Sequence, residues 1–462
     1  MKKYTGEQKA TIFVIAITSF IATFMGSAMN LSIPAMGAEF RVSASTIGWV
    51  ITVYMLTVAV FSVPFGRLAD MTRKKLIYLP GLLMFSMTSL LSAFAWNFNV
   101  LIVLRVLQGI SGSMIFSTGT AILISAFPGS ERGRVLGYST AATYIGLSVG
   151  PVAGGFLNHY LGWRSIFVLT CIISGIVFLI ALKMLPKGEK SPHKPSFDIL
   201  GNVLYITMIT AIMYGFTEMA ASKFAVALIA AGFLLAFCFV KHELRNENPV
   251  IQVRLFTGNI AYTFSNLAAL LNYGATFAIG YLLSIYFQVV MGYSSQTAGL
   301  ILISQPVVMA FLSPYAGRLS DRVSPYILAS IGMGLCATGV AFFIFIDAGY
   351  PLWQIIVALI ITGTGFGLFS SPNTNAVMAC VEAKDYGVAA SILATMRSLG
   401  HTSSMAIVTL IVSMYMGSSA LADAKPKLLI ETIHTSFIVF FVICVIGVFI
   451  SAKRKRDGGE NV

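Results

Sequence analysis

The sequence predicts an all-α integral membrane protein that crosses the bilayer with fourteen helices. Hydrophobic residues make up 57% of the 462 residues and charged residues only 10%, whereas a soluble domain carries about 25% charged residues. Fourteen windows contain about 20 mostly apolar residues, which is the length of a helix that crosses a bilayer. No stretch of such length alternates with period two, so the pattern favours helices over a transmembrane β-barrel.

The predicted spans follow one another along the whole chain, and we number them in chain order. The first span is longer than the roughly 7–15 residues of a signal-peptide core, so we expect it to remain as a helix. The spans lie near residues 11–35, 46–66, 76–95, 99–123, 133–157, 164–184, 199–219, 223–241, 260–289, 297–316, 325–346, 352–372, 387–413 and 432–451.

The net charge of +13 is concentrated in the loops and tails on one side of the spans. With the N-terminus in the cytoplasm, 23 of the 30 Lys and Arg residues lie on the cytoplasmic side, five lie on the opposite side and two lie inside spans. This excess is the positive-inside signature of membrane proteins. It predicts a multi-pass protein of the cell (inner) membrane with both termini in the cytoplasm, in contact with lipid and without a nucleic-acid partner.

No feature of the sequence predicts an enzyme, a cofactor or a metal site. A nucleotide-binding loop of the form GxxxxGK[ST] does not occur, and the loops are too short for a soluble catalytic domain. All five cysteines lie in apolar spans, as small core residues do, so we expect neither a disulfide nor a metal site. The cysteines are Cys171, Cys238, Cys336, Cys380 and Cys444.

A short internal repeat indicates two halves of the same orientation. GRLAD at residues 66–70 recurs as GRLSD at residues 317–321, and each copy follows a proline in an apolar span. The offset of 251 residues exceeds what six helices need, and spans seven and eight account for the excess. Parallel repeats are typical of many secondary transporters. The predicted domains are a six-helix half (1–185), a linker with a two-helix insert (186–258), a second six-helix half (259–452) and a basic cytoplasmic tail (453–462).

Several motifs resemble those of the major facilitator superfamily, and specifically of its fourteen-helix drug:proton antiporter group. The loop after span two resembles the first motif of the family, although Arg73 stands where the family usually has a second glycine. RVLQG at residues 105–109 resembles the proton-linked second motif, and GFGLFSSPNTN at residues 365–375 extends the resemblance. The resemblance implies the major facilitator fold and a cytoplasmic latch between the halves; local ion pairs are the alternative. The latch residues would be Gly66, Arg67, Asp70, Arg73, Lys74, Gly317, Arg318, Asp321 and Arg322.

Span five contains a series of glycines that matches the antiporter signature of the family. Gly146, Gly150 and Gly154 are spaced by four, so they share a helix face and allow another helix to approach to backbone contact. Pro151 removes a backbone donor and bends the helix, which membrane bundles tolerate. The resemblance implies a hinge in an exporter, and static close packing is the alternative. The signature comprises Gly137, Gly146, Gly150, Pro151, Gly154 and Gly155.

The ionisable residues deep inside the spans are basic. No Asp or Glu lies well inside a span of the twelve-helix core, and Met25 stands where relatives often have an aspartate. Arg397 and His401 are four apart and share a helix face. The guanidinium favours the neutral imidazole, which suits a proton carrier, although a packing role for His401 is the alternative. The candidate proton and substrate pathway comprises Met25, Asn30, Arg105, Gln108, Asn272, Gln288, Gln305, Asn373, Arg397 and His401.

These observations predict a monomeric secondary active transporter that exports small amphipathic compounds by alternating access, coupled to proton antiport. Its expected partners are a small-molecule substrate, protons and the lipid bilayer. Two alternatives stay open: a transporter of an anionic metabolite or lipid, and a non-transporting membrane sensor on the same fold. Because an unpaired cation is costly to desolvate, a cavity without a carboxylate predicts that permanent dications are poor substrates.

Overall fold

A computed structural model shows a bundle of long helices. It describes residues 4–127, 132–186, 197–220, 222–246, 249–320, 322–381, 386–417, 419 and 425–453. Within these residues the regular secondary structure is helical and contains no β-strand, and fourteen helices are long and apolar enough to cross a membrane. The fold class predicted from the sequence is therefore confirmed.

The fourteen spanning segments are named α1–α14 and follow the order of the predicted spans. Their bounds are α1 Gly6–Asn30, α2 Ala44–Met71, α3 Lys75–Ala93, α4 Phe98–Ser125, α5 Arg132–Leu161, α6 Arg164–Met184, α7 Ile199–Thr217, α8 Ala225–Glu243, α9 Ile260–Val290, α10 Ser295–Leu319, α11 Pro325–Phe343, α12 Leu352–Ala379, α13 Tyr386–Met416 and α14 Pro426–Lys453. Two short helices, Ile33–Phe40 and Arg254–Gly258, precede α2 and α9.

Helix α9 is interrupted, which its apolar window did not reveal. A first α-helical part, Ile260–Thr276, is followed by a second, Ile279–Ile285, and by a π-helical turn, Tyr286–Val290. A π turn accommodates an extra residue and occurs frequently at functional sites. Helix α10 is likewise interrupted at Ile303. The end of α9 and the start of α10, which lie next to these interruptions, contact the first six helices.

The first six helices and the last six helices pack in the same pattern. In the first set, α1 packs on α5 and α6, α2 packs on α4, and α3 packs on α4 and α6. In the second set, α9 packs on α13 and α14, α10 packs on α12, and α11 packs on α12 and α14. The two sets meet through α2 with α13 and through α5 with α10. The described helices thus form two six-helix clusters that repeat one arrangement, as secondary transporters commonly do.

Helices α7 and α8 form a pair beside one of the two seams between the clusters. They pack on each other, and α7 also contacts α2 and α13. The Tyr205 hydroxyl on α7 donates to the carbonyl of Ala59 on α2 (3.1 Å). Gly215 and Gly232 lie where α7 and α8 approach each other closely. The domain boundaries predicted from the sequence stay a prediction.

The surface of the bundle is apolar over large areas. Trp96, Phe224 and Phe311 are more than three-quarters exposed, and many further large apolar side chains are exposed along the outward faces of the helices. Monomeric proteins in water rarely show contiguous apolar surface of this extent. A lipid bilayer is the environment in which these side chains are stable.

Candidate substrate and proton pathway

The glycines of α5 form a contact surface for α1. A Cβ atom at Gly154 would lie 2.6 Å from Cα of Ala28, and one at Gly150 would lie 3.0 Å from the carbonyl oxygen of Phe24. A Cβ at Gly146 would overlap the hydroxyl oxygen of Thr23. Real Cβ atoms essentially never approach so closely, so only glycine fits at these positions. The close helix approach predicted from the four-residue spacing is present, with α1 as the partner.

The end of α5 continues this contact across to the second cluster. The Ser295 hydroxyl of α10 donates to the carbonyl of Gly155 (3.1 Å), and a Cβ at Gly299 would lie 2.9 Å from the carbonyl carbon of Pro151. At the opposite end of α5, a Cβ at Gly137 would meet nothing within 4 Å. The glycines of the signature therefore have three different environments. Gly146, Gly150 and Gly154 contact α1, Gly155 contacts α10, and Gly137 has open space around its Cα.

Further hydrogen bonds join the two clusters at the same end of the bundle, which the charge distribution predicts to be the outer end. Ser284 donates to the carbonyl of Asn30 (2.7 Å), and Gln288 in the π turn donates to that of Leu31 (3.1 Å). The backbone amide of Ala44 donates to the carbonyl of Ser419 (2.9 Å). These bonds close the Asn30 end of the seam between the clusters.

An exposed ion pair links the short helix Ile33–Phe40 to the start of α6 at this end. Oε2 of Glu39 accepts one hydrogen bond from Arg164 and one from the indole of Trp163, and Oε1 lies near the other terminal nitrogen of Arg164, each at 2.7 Å. The hydrogen bond from Arg164 holds the pKa of the Glu39 carboxyl below its ordinary value. Both charged side chains are more than one-third exposed, so this pair contributes little to stability.

Arg105 is buried in the first cluster and is bound on several sides. Its Nε donates to the carbonyl of Val50 (2.9 Å) and a terminal nitrogen donates to Gln108 Oε1 (2.6 Å). The guanidinium lies 4.3 Å from the ring centroid of Tyr54. Only 2% of Arg105 is exposed. These contacts connect α2 and α4 through one cation.

Gln108 extends the network of Arg105 to two further helices. Its Nε2 donates to the hydroxyl of Ser89 on α3 (2.7 Å) and lies 3.5 Å from the sulfur of Met25 on α1. Met25 is 2% exposed. The position where relatives often have an aspartate is thus buried in the first cluster, against a neutral amide.

Arg397 lies in the second cluster and has fewer partners than Arg105. A terminal nitrogen donates to the hydroxyl of Thr374 (2.6 Å), and the guanidinium lies 5.5 Å from the ring centroid of Tyr273. Its buried Nε has no hydrogen-bond partner among the described residues. Arg397 therefore retains donor capacity next to an aromatic surface.

His401 lies one helical turn from Arg397 in an aromatic environment. Its ring centroid lies 5.2 Å from that of Tyr273 and 4.4 Å from that of Phe277. Phe366 packs edge-on against Tyr273 with centroids 5.1 Å apart. The sequence-based grouping of Arg397 with His401 is reproduced, and the aromatic rings of α9 and α12 complete the group.

A hydrogen bond joins the two clusters near this group. The hydroxyls of Tyr144 on α5 and Ser313 on α10 lie 2.8 Å apart, and those of Tyr273 and Ser370 lie 3.2 Å apart. Tyr144 also lies close to Ser370 and Arg397. We use the name "central cluster" for Tyr144, Tyr273, Ser313, Phe366, Ser370, Thr374, Arg397 and His401.

The other predicted pathway residues are distributed over several sites. Asn373 donates to the carbonyl of Ser265 (3.2 Å), and Asn272 is fully buried beside Cys336. The backbone of Gln305 lies against Gly363 of α12. Asn30 and Gln288 lie at the closed Asn30 end of the seam. None of these five residues is described in contact with Arg397.

The predicted latch residues lie at the other end of α2 and α10. Gly66 faces Ser117 of α4, and a Cβ at Gly317 would lie 2.7 Å from the hydroxyl oxygen of Ser371 on α12. Lys74 donates to the Ser125 hydroxyl (2.9 Å). Each of these contacts lies within one six-helix cluster, so none of them joins the two halves.

The rest of the latch remains a prediction. The buried Nε atoms of Arg67 and Arg73 have no partner among the described residues, and Arg318 and Arg322 are exposed. Asp321 and the side chain of Asp70 lie outside the described part of the chain.

Sequence reasoning missed several residues of the central cluster. Tyr273, Ser370, Thr374 and Phe366 are common in apolar spans and carry no motif, and Tyr54 under Arg105 is equally inconspicuous. Tyr273, Phe366, Ser370 and Thr374 lie on other helices than Arg397. Their distance from Arg397 along the sequence therefore does not indicate that they lie close to it. The helical spacing of Phe366, Ser370 and Thr374 on α12 was the one available clue.

Comparisons with known proteins agree with this architecture. A family model described as "Major Facilitator Superfamily" matches residues 15–242 and 265–461. The chain is 30% identical over 452 residues to the riboflavin transporter RibZ of Clostridioides difficile (strain 630), covering 96% of this chain and 98% of that protein. It is 26% identical over 417 residues to the multidrug resistance protein Stp of Mycobacterium tuberculosis (strain ATCC 25618 / H37Rv), covering 89% and 77%.

Solved structures share the fold at low sequence identity. A bacterial homologue of the human lysosomal transporter Spinster, in an inward-facing and unoccupied conformation, has a TM-score of 0.73 with 14% identity over all of both chains. The nucleoside transporter NupG has a TM-score of 0.66 with 14% identity, covering 96% of this chain and 100% of that one. The extent of the family match and the 30% identity over nearly the whole chain show that the chain belongs to the major facilitator superfamily, as a multi-pass membrane transporter.

Proposed function

We propose that this transporter exports a small aromatic amphiphile that is uncharged or anionic, in exchange for protons. The central cluster would bind the substrate, and the seam between the two six-helix clusters would open alternately to each side. We also assign the chain to the fourteen-helix antiporter group, because α7 and α8 form a separate pair beside twelve helices that repeat one pattern.

The observation that carries the proposal is the charge of the buried polar groups. Arg105 and Arg397 lie inside the bundle, and among the described residues neither forms an ion pair with a carboxylate. A substrate cation would lose its hydration without gaining a counter-ion, at a cost of several kcal/mol. An anion or a ring carbonyl can instead accept a hydrogen bond from the unpartnered Nε of Arg397.

The aromatic side chains near Arg397 favour a planar ligand. Tyr273, Phe277, Phe366 and His401 present ring faces and edges within one group, and offset or edge-on ring contacts are worth about 0.5–1.5 kcal/mol beyond burial. Riboflavin, the substrate named for the relative RibZ, is an uncharged planar heteroaromatic compound with ring carbonyls. It is therefore the first compound to test.

Alternating access is supported by the distribution of contacts along the seam. The Asn30 end is closed by Ser284, Gln288 and Ser295, while Gly137 toward the other end has open space. With the N-terminus in the cytoplasm, this arrangement corresponds to a state closed toward the outside. Outward opening would require α5 to move relative to α10 while its glycines maintain the contact with α1.

His401 is the proton carrier that this site supports best. It is the one histidine described in the central cluster, and it lies one helical turn from Arg397 and against the rings of Tyr273 and Phe277. Protonation would place a second positive charge near Arg397 and would remove the imidazole nitrogen that can accept a hydrogen bond from a substrate N–H or O–H. Protonation and substrate binding would then exclude each other, as antiport requires.

A reconstituted transport assay tests the proposal. Purified protein in liposomes with an acidic interior should accumulate riboflavin, measured by its fluorescence after filtration, and a protonophore or nigericin should abolish the accumulation. The permanent dication methyl viologen is the matched control and should be transported at less than one-tenth of that rate. Riboflavin transport at the same rate with and without a pH gradient would support the proposed substrate class and contradict proton antiport. Robust transport of the dication would contradict the proposed substrate class.

A lipid-like substrate is a second candidate, because a mainly apolar cleft lies between three spanning helices. A cleft of about 470 Å³ lies between α2, α4 and α7 and is lined mainly by apolar side chains such as Val53, Leu56 and Val106. At its predicted outer edge the indole of Trp49 donates to Glu218 (3.2 Å). Transport of a fluorescent phospholipid in the same liposomes, together with failure of riboflavin transport, would favour this candidate.

A further inference from the structure

A cluster of three metal-ligating side chains lies at the base of the α7–α8 pair, away from the central cluster. Asp198 caps the N-terminus of α7, where Oδ1 accepts from the amide of Gly201 (2.8 Å). His242 and Glu243 lie in the last turn of α8. The Nε2 atom of His242 lies 3.0 Å from Oδ1 and 2.8 Å from Oδ2 of Asp198.

Both carboxylates are largely removed from solvent. The side chain of Asp198 is 8% exposed and Glu243 is 2% exposed. Oε2 of Glu243 accepts from the amide of Ile251 (2.8 Å). Oε1 is buried and has no hydrogen-bond partner among the described residues, which is a costly state for a carboxylate oxygen.

The unpartnered oxygen points toward the other ligands. A Cβ at Gly201 would lie 2.6 Å from Glu243 Oε1 and even closer to Asp198 Oδ2. The two carboxylate oxygens therefore face the same small volume beside Gly201, which only glycine leaves free. One ligand atom from each of Asp198, His242 and Glu243 lies within 4.8 Å of the others.

We propose that Asp198, His242 and Glu243 bind a divalent transition-metal ion of the Zn²⁺ class. One imidazole nitrogen and two carboxylate oxygens are ligands that Zn²⁺ accepts, and the ligands of a bound ion lie about 2.0–2.2 Å from it. The ion takes the place of the proton on Nε2 of His242, which is released to water. It neutralises the two carboxylates and gives Oε1 of Glu243 a partner.

A simpler ion pair accounts for only part of the geometry. Protonated His242 would pair with Asp198. Oε1 of Glu243 would still have no hydrogen-bond partner and would face Oδ2 of Asp198. A bound ion contacts all three side chains. It also connects the start of α7, the end of α8 and, through the Glu243–Ile251 hydrogen bond, the segment that leads to α9. The spacing of ligands along the sequence does not point to this group, because 44 residues separate Asp198 from His242.

The experiment uses the full-length protein with an affinity tag that contains no histidine. Chelator-treated protein in detergent is titrated with Zn²⁺ against a chromophoric competitor, and Co²⁺ is added separately to record its visible absorption. The variants are H242Q and E243Q, the second of which preserves an acceptor for the amide of Ile251. H159Q removes an exposed histidine at the end of α5 and C238S removes an exposed thiol on α8; both serve as controls.

Wild-type protein, H159Q and C238S are expected to bind one Zn²⁺ per chain with the same affinity, and H242Q and E243Q at least 10-fold more weakly. X-ray absorption of the Zn²⁺-loaded wild type should show nitrogen and oxygen ligands with an imidazole signature, a readout that does not depend on the folding of any variant. Sulfur ligands, unchanged affinity in H242Q and E243Q, or no saturable binding by the wild type would each overturn the proposal.

Discussion

Each six-helix cluster contains an arginine within a spanning helix, Arg105 in the first and Arg397 in the second, and the two are bound in different ways. Arg105 is 2% exposed and contacts the carbonyl of Val50, the amide of Gln108 and the ring of Tyr54. Arg397 donates to Thr374, and its Nε has no partner among the described residues. The buried Nε of Arg105 is therefore hydrogen-bonded within the protein, whereas the buried Nε of Arg397 has no described partner.

The difference separates a structural role from a binding role for the same side chain. A guanidinium has five donors in a fixed fork, and the contacts of Arg105 connect α4 to α2 and, through Gln108, to α3 and α1. Arg397 contacts α12 beside the seam and lies near Tyr144, which comes from the other cluster. We infer that Arg105 holds one cluster rigid while Arg397 meets the substrate.

Arg105→Leu should have the largest effect, because it leaves buried acceptors in the first cluster without a donor. Each such group costs about 1–3 kcal/mol, so the melting temperature of the purified protein should fall and transport should disappear. Arg397→Leu is the matched variant in the second cluster and should lower the melting temperature less. A larger loss of stability in Arg397→Leu than in Arg105→Leu would reverse the assigned roles.

Arg397→Gln should reduce substrate transport at low concentration by at least 10-fold and change the melting temperature little. The amide can still bond to Thr374 but provides neither the charge nor the spare donor. Rates measured over a range of riboflavin concentrations in liposomes should show a raised KM. A lowered melting temperature with an unchanged KM would assign Arg397 to structure.

His401→Gln should flatten the pH dependence of transport while leaving substrate binding within about 3-fold of the wild type. Glutamine is polar and similar in reach but does not titrate, so the gradient-driven component should disappear and downhill exchange should persist. His434→Gln, on α14, provides a control that retains the pH profile. A normal pH profile in His401→Gln would place the proton elsewhere, and Glu218 would be the next candidate.

Met25→Asp should have the smallest effect. From the sequence alone, an aspartate at this position is expected to improve the transport of a lipophilic cation if residue 25 faces the cavity. The structure places Met25 against Gln108, which accepts a hydrogen bond from Arg105. The new carboxylate would therefore bind to this buried polar network before it contacted a substrate. Cation transport should therefore rise less than 2-fold, and a rise of 10-fold or more would show that residue 25 becomes accessible during the cycle.

The sequence predicted the spanning helices well because hydrophobic length is a local property. Each predicted window overlaps one of α1–α14. The four-residue spacing of Gly146, Gly150 and Gly154 indicated a close helix contact, which the structure shows with α1. The π turn at Tyr286–Val290 escaped prediction because its residues are as apolar as their neighbours.

The contents of the candidate site were less accessible to prediction. Whether Tyr54 or Tyr273 meets an arginine depends on the rotation of separate helices around their axes, which a sequence without homologues does not encode. The same limitation hid the approach of His242 to Asp198. Charged residues within apolar spans can be recognised from the sequence. The side chains that contact them cannot.

Equilibrium binding of flavins to wild type and Arg397→Gln tests most directly whether Arg397 selects the charge of the substrate. The quenching of flavin fluorescence reports binding of riboflavin and of its anionic 5′-phosphate, with methyl viologen as competitor. We predict that the wild type binds both flavins, that methyl viologen displaces neither, and that Arg397→Gln binds each at least 10-fold more weakly, which corresponds to about 1.4 kcal/mol. Equal flavin binding by both proteins, or displacement of riboflavin by the dication, would contradict the assignment.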